Sequence, residues 1–282
     1  EHKYNNNSTS LELRARAATA AIVKETLQRN MPELAVVSLS AYSIIYKAMC
    51  NPTHLGELYR HDLLNPCFQA RGALIHDRFS TNTAPSWYRV QPCGFLPLVH
   101  NGELPKTANA KQMDADLHGR GQENVIFSND NASDSMQLDR DLANYLARGY
   151  SLEEAMVRLL APSDIEWDES MSPEAKEKIP YNGPGLILTS ANGIMMGKLD
   201  NAGLRPAVKT TVKNEDDSVH RLYIASDDMI DEVPENKYIA QKEHMSAGDL
   251  VLFDPEKGMI GQLEILERVS QQIRTRLGVP VE

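Results

Sequence analysis

Residues with chemistry to offer are concentrated between Ala73 and Leu104, a stretch that reads ALIHDRFSTNTAPSWYRVQPCGFLPLVHNGEL. Two short apolar runs, ALI and PLV, each end in a polar cluster. The first cluster is His76-Asp77-Arg78-Phe79-Ser80-Thr81-Asn82-Thr83 and the second is His100-Asn101-Gly102-Glu103. A buried strand has no use for an arginine followed by small and hydroxylated residues. A site that must fix a carboxylate and present a backbone N–H to a developing oxyanion does. A guanidinium suits the first task because its planar fork takes both oxygens at once, which a lysine cannot do. Each cluster also has a plainer reading: Arg78 in a buried ion pair with Asp77, and Asn101-Gly102 as a hairpin turn.

Several elements are predicted around these clusters. Ser10 caps a helix over 11–29, and 34–40 and 43–49 read as strands from their Val, Ile and Tyr content. Residues 52–59 suggest a short helix with Leu55 and Leu58 turned inward, and 68–75 leads into the first site strand. Ser133-Asp134-Ser135 opens a helix that runs to Arg148 and stops at Gly149, with Leu138, Leu142, Tyr145 and Leu146 at helical spacing. Ser151-Leu152-Glu153-Glu154 is a capping box for a second helix burying Leu152, Met156, Leu159 and Leu160. In 185–200 two apolar runs flank Asn192-Gly193, the strongest hairpin signal in the chain. RLYIASD (221–227) is a further strand, 249–262 a second hairpin, and 263–277 an amphipathic helix. Strands in adjacent runs, with helices before and after, indicate α+β with antiparallel sheets rather than parallel α/β.

Composition narrows the partners. With 29 basic and 39 acidic residues the chain carries a net charge of −10, which disfavours nucleic acid and anionic membranes. No apolar run reaches the roughly 20 residues that cross a bilayer. Three cysteines (Cys50, Cys67, Cys93) without C-x-x-C spacing indicate a reducing compartment and argue against an internal disulfide frame or iron–sulfur site. Each is expected to be inert, a small buried hydrophobe rather than a nucleophile. Asp114, Asp116 and His118 lack a fourth ligand and are read as part of an exposed loop, not a metal site.

The pattern RFSTNT-x-PSW at Arg78–Trp87, followed by HNGE at His100–Glu103, resembles the glutaminase domain of glutamate synthase, a class II amidotransferase with the N-terminal-nucleophile fold. Ser133-Asp134-Ser135 and LDNAGLRP at 199–206 resemble further segments of that family. So does Tyr46-Lys47-Ala48-Met49, where alanine stands for the family's glycine. The resemblance implies a four-layer αββα sandwich over 34–262, with 1–33 as a polar segment and helix and 263–282 as a terminal helix and tail. It implies hydrolysis of the glutamine side-chain amide to glutamate and ammonia. In that reading Arg78 clamps the substrate carboxylate and Asp134, with Ser133 beside it, meets the substrate ammonium. Thr81, Asn82 and Thr83 shape the pocket, with Pro85 and Trp87 fixing their loop. The Asn101 side-chain amide and the Gly102 N–H form the oxyanion hole. His76 and His100 are structural, because the base in class II enzymes is the α-amine of an N-terminal cysteine. The loop after Pro105 lacks the Trp-containing segment that covers the glutamine pocket in the family.

That cysteine has no counterpart here, since the sequence begins EHKYNNNSTS without Met, signal or transit pattern. The nucleophile is therefore expected on a segment preceding or encoded apart from these residues. The alternatives are a non-catalytic binding or scaffold subunit, or an amidotransferase feeding a different acceptor. The expected partners are glutamine or glutamate, the missing N-terminal segment, and a synthase domain or subunit. The family's FMN and iron–sulfur cluster belong to that synthase part, and no cofactor is expected in this chain. Location is expected to be the cytoplasm, or the plastid stroma in a eukaryote.

Overall fold

The structure, a computed structural model, describes residues 30, 40, 43–78, 96–105, 133–160, 181–191, 193–228, 230, 233–254 and 258–278. The expected helix over 11–29, most of the strand over 34–40, Thr81, Asn82, Thr83, Pro85, Trp87, Cys93 and the Asp114, Asp116, His118 loop lie outside them. The chain divides into two compact units that interleave in sequence. One comprises Glu1–His100, Gln112–Ala155 and Thr189–Met195, and the other Asn101–Lys111, Met156–Leu188 and Met196–Glu282.

In the first unit, Asn51 caps a 3₁₀ turn, Pro52–His54, that runs into α1 (Leu55–Leu58) and α2 (Arg60–Leu63). The expected strand over 43–49 is not one. Its backbone forms no ladder, because Tyr46 stacks on Tyr59 at 4.9 Å and Tyr59 donates its hydroxyl to the Lys47 carbonyl at 2.6 Å. Side-chain packing on the helical turn takes the place of strand pairing. Leu58, expected inward, is 58% exposed. Likewise Ala73-Leu74-Ile75 forms no strand, and Ile75 is 80% exposed. Cys50 and Cys67, expected as buried hydrophobes, are both exposed.

α3 (Asp134–Ala147) starts where the sequence places it. Ser133 Oγ accepts the Met136 N–H at 3.3 Å, satisfying one of the helix's orphan donors. Leu138, Leu142 and Leu146 form a fully buried stripe, each contributing roughly 1.5–3 kcal/mol of apolar burial. Asp139, also buried, takes the Leu96 N–H at 2.7 Å and so ties the helix to the residues that enter β1 (Leu98–Gly102). α4 (Leu152–Leu159) begins at the predicted box, where Ser151 Oγ accepts the Glu154 N–H at 3.1 Å.

The strands form two antiparallel sheets. β2 (Gly185–Ala191) and β3 (Ile194–Leu199) form the predicted hairpin, with Gly193 at φ 81°. With β1, β7 (Leu250–Asp254) and β8 (Gly258–Ile260) they make a sheet of order β1-β2-β3-β7-β8. A three-stranded sheet of order β5-β4-β6 joins β4 (Val208–Asn214), β5 (Val219–Ala225) and β6 (Lys237–His244). Both of its pairings are antiparallel, with register shifts near Val212. The sheets meet through Leu186, Leu199 and Val251 on one side and Leu222 and Ile224 on the other. Gly197 permits this approach: a Cβ there would lie 3.0 Å from Ile224 and from Leu188. Val251 faces this interface, so alternation turns Leu250 and Leu252 to the opposite side. There α5 (Gln262–Leu277) packs on β7, with Ile265, Val269 and Ile273 buried. The α+β class with antiparallel sheets and flanking helices thus holds, and the order of α5, β7 and the three-stranded sheet follows the expected layering.

Candidate active site

β1 brings the HNGE motif out of the core. Leu98 and Val99 are buried and anchor the strand, while Asn101 and Gly102 at its end are half-buried. Between them His100 turns into the first unit, where its side chain is 1% exposed. Its Nδ1 lies 3.2 Å from Ser135 Oγ and 3.8 Å from Asp134 Oδ2. A protonated Nδ1 donating to Ser135 Oγ leaves the serine hydroxyl to donate to Asp134 Oδ1, 3.4 Å away. Asp134 also accepts the Ser135 N–H at 2.8 Å, and its side chain keeps 28% exposure. As the first residue of α3, its carboxylate sits where the helix dipole favours negative charge.

His76 lies behind this arrangement. Its Nε2 donates to the His100 carbonyl at 3.1 Å, and its Nδ1 accepts the Arg78 N–H at 3.3 Å. Both bonds require the neutral Nε2–H tautomer. Burial holds its pKa below the ordinary value, against the raising effect of the His100 carbonyl. His76 thereby fixes the backbone leading to Arg78 alongside β1. The Arg78 side chain is exposed, and among the described residues no ion pair joins it to Asp77. The buried-pair reading therefore falls away.

Gly102 has φ 149°, and a Cβ there would lie 2.1 Å from the Pro184 carbonyl oxygen. The Glu103 N–H donates to that same oxygen at 2.8 Å. The glycine is thus required by the neighbouring backbone, whatever else approaches it. Asn101-Gly102 is not a hairpin turn, since both residues belong to a strand.

The LDNAGLRP segment, matched by motif but given no role from sequence, turns on Asp200. This 1%-exposed carboxylate accepts the backbone N–H groups of Gly185, Ala202, Leu204 and Arg205 at 3.0–3.3 Å. An LD followed by a glycine three residues after the Asp was the available signal for such a side-chain-organised turn. Beside it Lys198 is fully buried, with Nζ 3.3 Å from the Gly248 carbonyl. Burial lowers its pKa to about 7, although Asp249 and Asp200 pull the other way. Among the described residues, no group of three His, Cys, Asp or Glu could hold a metal ion. No described helix is long and apolar enough to cross a membrane.

A family profile described as glutamine amidotransferases class-II matches residues 2–276. The ferredoxin-dependent glutamate synthase 2 of Arabidopsis thaliana (chloroplastic) is 32% identical over 259 residues, covering 84% of this chain and 15% of that protein. The glutamate synthase [NADH] of Saccharomyces cerevisiae is 31% identical over 272 residues, covering 86% of this chain and 11% of that protein. This chain therefore spans about a seventh or less of the length of these relatives. Among solved structures, the glutamine phosphoribosylpyrophosphate amidotransferase of B. subtilis aligns with a TM-score of 0.34 and 19% identity, over 66% of this chain and 33% of its own. On the match across nearly its whole length, the chain belongs to the class-II glutamine amidotransferases.

Proposed function

We propose that this chain is the glutamine-cleaving part of a glutamate synthase, releasing ammonia for a synthase domain or subunit. The observation that carries the proposal is the meeting of two motif segments 35 residues apart, His100 of HNGE and Ser135 of Ser-Asp-Ser. That contact sets a half-exposed carboxylate beside the residue that precedes the Asn-Gly pair.

In this reading Asp134, supported by Ser133 at the helix cap, binds the substrate ammonium, and Arg78 binds its carboxylate. Thr81 and Asn82 are further substrate-binding residues in the same reading. The attacking thiolate belongs to a cysteine with a free α-amine, which none of Cys50, Cys67 and Cys93 has. Its sulfur bonds to the glutamine Cδ, and the oxyanion so formed is held by the Asn101 amide and the Gly102 N–H. Collapse to the thioester expels ammonia, which takes the thiol's proton by way of the α-amine. Water then cleaves the thioester to glutamate and regenerates the thiol.

Calorimetric titration of L-glutamine into the chain tests the binding half, and a glutaminase assay of its full-length polypeptide tests the chemistry. Micromolar to millimolar binding, weakened at least about tenfold by Asp134→Asn, is expected from losing one charged hydrogen-bond partner. Absence of glutamine binding, or indifference to Asp134→Asn, overturns the reading. Binding without turnover in the full-length polypeptide identifies a non-catalytic relative instead.

A further inference from the structure

We propose that His100 is a positioning residue for the substrate ammonium: acting through the Ser135 hydroxyl, it sets the orientation of the Asp134 carboxylate. The inference rests on the function proposed above and adds to it a residue that sequence reasoning leaves as a structural histidine.

A carboxylate on the first residue of a helix can rotate among the backbone N–H groups of the first turn and solvent. To bind an ammonium with one fixed geometry, it must keep one oxygen committed and the other presented. The two oxygens of Asp134 have different neighbours. Oδ1 accepts the Ser135 N–H at 2.8 Å and faces the Ser135 hydroxyl at 3.4 Å, whereas Oδ2 is the oxygen 3.8 Å from His100 Nδ1. The Ser135 hydroxyl could turn either way, and His100 Nδ1, at 3.2 Å from its oxygen, fills its acceptor side and directs its proton toward Asp134. Ser135 is itself only 2% exposed, which limits competition by water for its hydroxyl. The imidazole is held in turn from the strand, whose carbonyl at residue 100 is clamped by His76 Nε2 at 3.1 Å.

In this arrangement His100 orients the carboxylate that receives the substrate's amino end. A buried leucine in this place would fill the volume equally well. Only the hydrogen-bonding pattern calls for an imidazole with a donor at Nδ1.

The test is a thermodynamic cycle on L-glutamine binding by calorimetry, with His100→Leu, Asp134→Asn and the double variant, each checked for folding by circular dichroism. His100→Leu is expected to raise Kd about tenfold in the wild-type background and less than about twofold in the Asp134→Asn background. His100→Asn, which can return an amide donor near the Nδ1 position, should restore Kd to within about threefold of wild type. Ser135→Ala, a change that leaves packing intact should His100→Leu fail to fold, should weaken binding by about threefold to tenfold. In the full-length polypeptide, KM should rise with kcat changed by less than about threefold. If Asp134→Asn weakens binding but His100→Leu costs the same in both backgrounds, or His100→Asn is no better than His100→Leu, the positioning role is wrong and the function stands. Indifference of binding to Asp134→Asn removes the function reading itself.

Discussion

The carbonyl oxygen of Pro184 occupies the space that a side chain on Gly102 would need, 2.1 Å from an ideal Cβ. The obstacle is backbone already bonded to the Glu103 N–H, so it cannot swing aside as a flexible side chain would. Gly102→Ala is therefore expected to lower stability by about 2–4 kcal/mol, from overpacking together with a strained positive φ. Urea unfolding of the variant measures it. A loss below about 1 kcal/mol would show that β1 and β2 can separate locally.

Asp200→Ala strips acceptors from four backbone N–H groups in one turn. With each buried orphan costing about 1–3 kcal/mol and water recovering part of that, a net loss of about 3 kcal/mol is expected. Asp200→Asn, which keeps one acceptor oxygen, should lose less. The paired thermal melts decide between a turn organised by this side chain and one held by its sequence neighbours.

Lys198 gives stability a pH dependence of known sign. Its folded pKa is about 7 against an ordinary 10.5, so between these values the unfolded chain holds a proton that the folded chain lacks. Stability contributed by this site thus rises with pH across that window, and below about pH 7 the full cost of a buried charge is felt. Lys198→Met should be more stable than wild type at pH 7, and the margin should shrink by about 1.4 kcal/mol per pH unit above that. Urea midpoints of both proteins at pH 7 and pH 9 give the comparison; parallel curves would refute it.

Arg78→Ala and Asn101→Ala should separate binding from chemistry in the full-length polypeptide. Loss of the guanidinium is expected to raise KM for glutamine at least about tenfold, with Arg78→Lys recovering little of it. Loss of one oxyanion donor should lower kcat by about 10²–10³ with KM little changed. Steady-state glutaminase kinetics distinguish the two patterns, and an Asn101→Ala variant altered in KM alone would remove the oxyanion role.

Helices were legible wherever their ends carried chemistry. Ser133 and Ser151 cap the helices they were expected to cap, because a hydroxyl one step before an apolar period has few other uses. Hairpins were legible where the turn demanded glycine, as at Gly193. The strand read into 43–49 and the site strand expected after 68–75 failed among the described residues because β-rich composition does not supply a pairing partner. Tyr46 finds Tyr59 between two short helices, and Phe68 beyond them, instead. β4 and β6 were missed for the opposite reason. VKTTVKN and KYIAQKEH carry lysines, and the second a glutamate, through the ladder, and β6 is largely solvent-facing, so neither shows a clean apolar alternation. At the site, Asp134 and the Asn-Gly strand were visible in motif, whereas the His100–Ser135 contact depends on a pairing of distant segments that periodicity cannot express. Asp200 was in plain view within LDNAGLRP, but a carboxylate serving backbone amides resembles any surface aspartate until the turn is folded around it.

A neutral amine buried behind β3 has a further use to the experimenter. Lys198 is a competent nucleophile in its uncharged form yet has no exposed surface, so an acylating reagent reaches it only when the sheet that contains β3 breathes. Peptide mass spectrometry after timed acetylation would then read the frequency of that opening from a single residue, with the surface lysines serving as the internal clock for reagent strength.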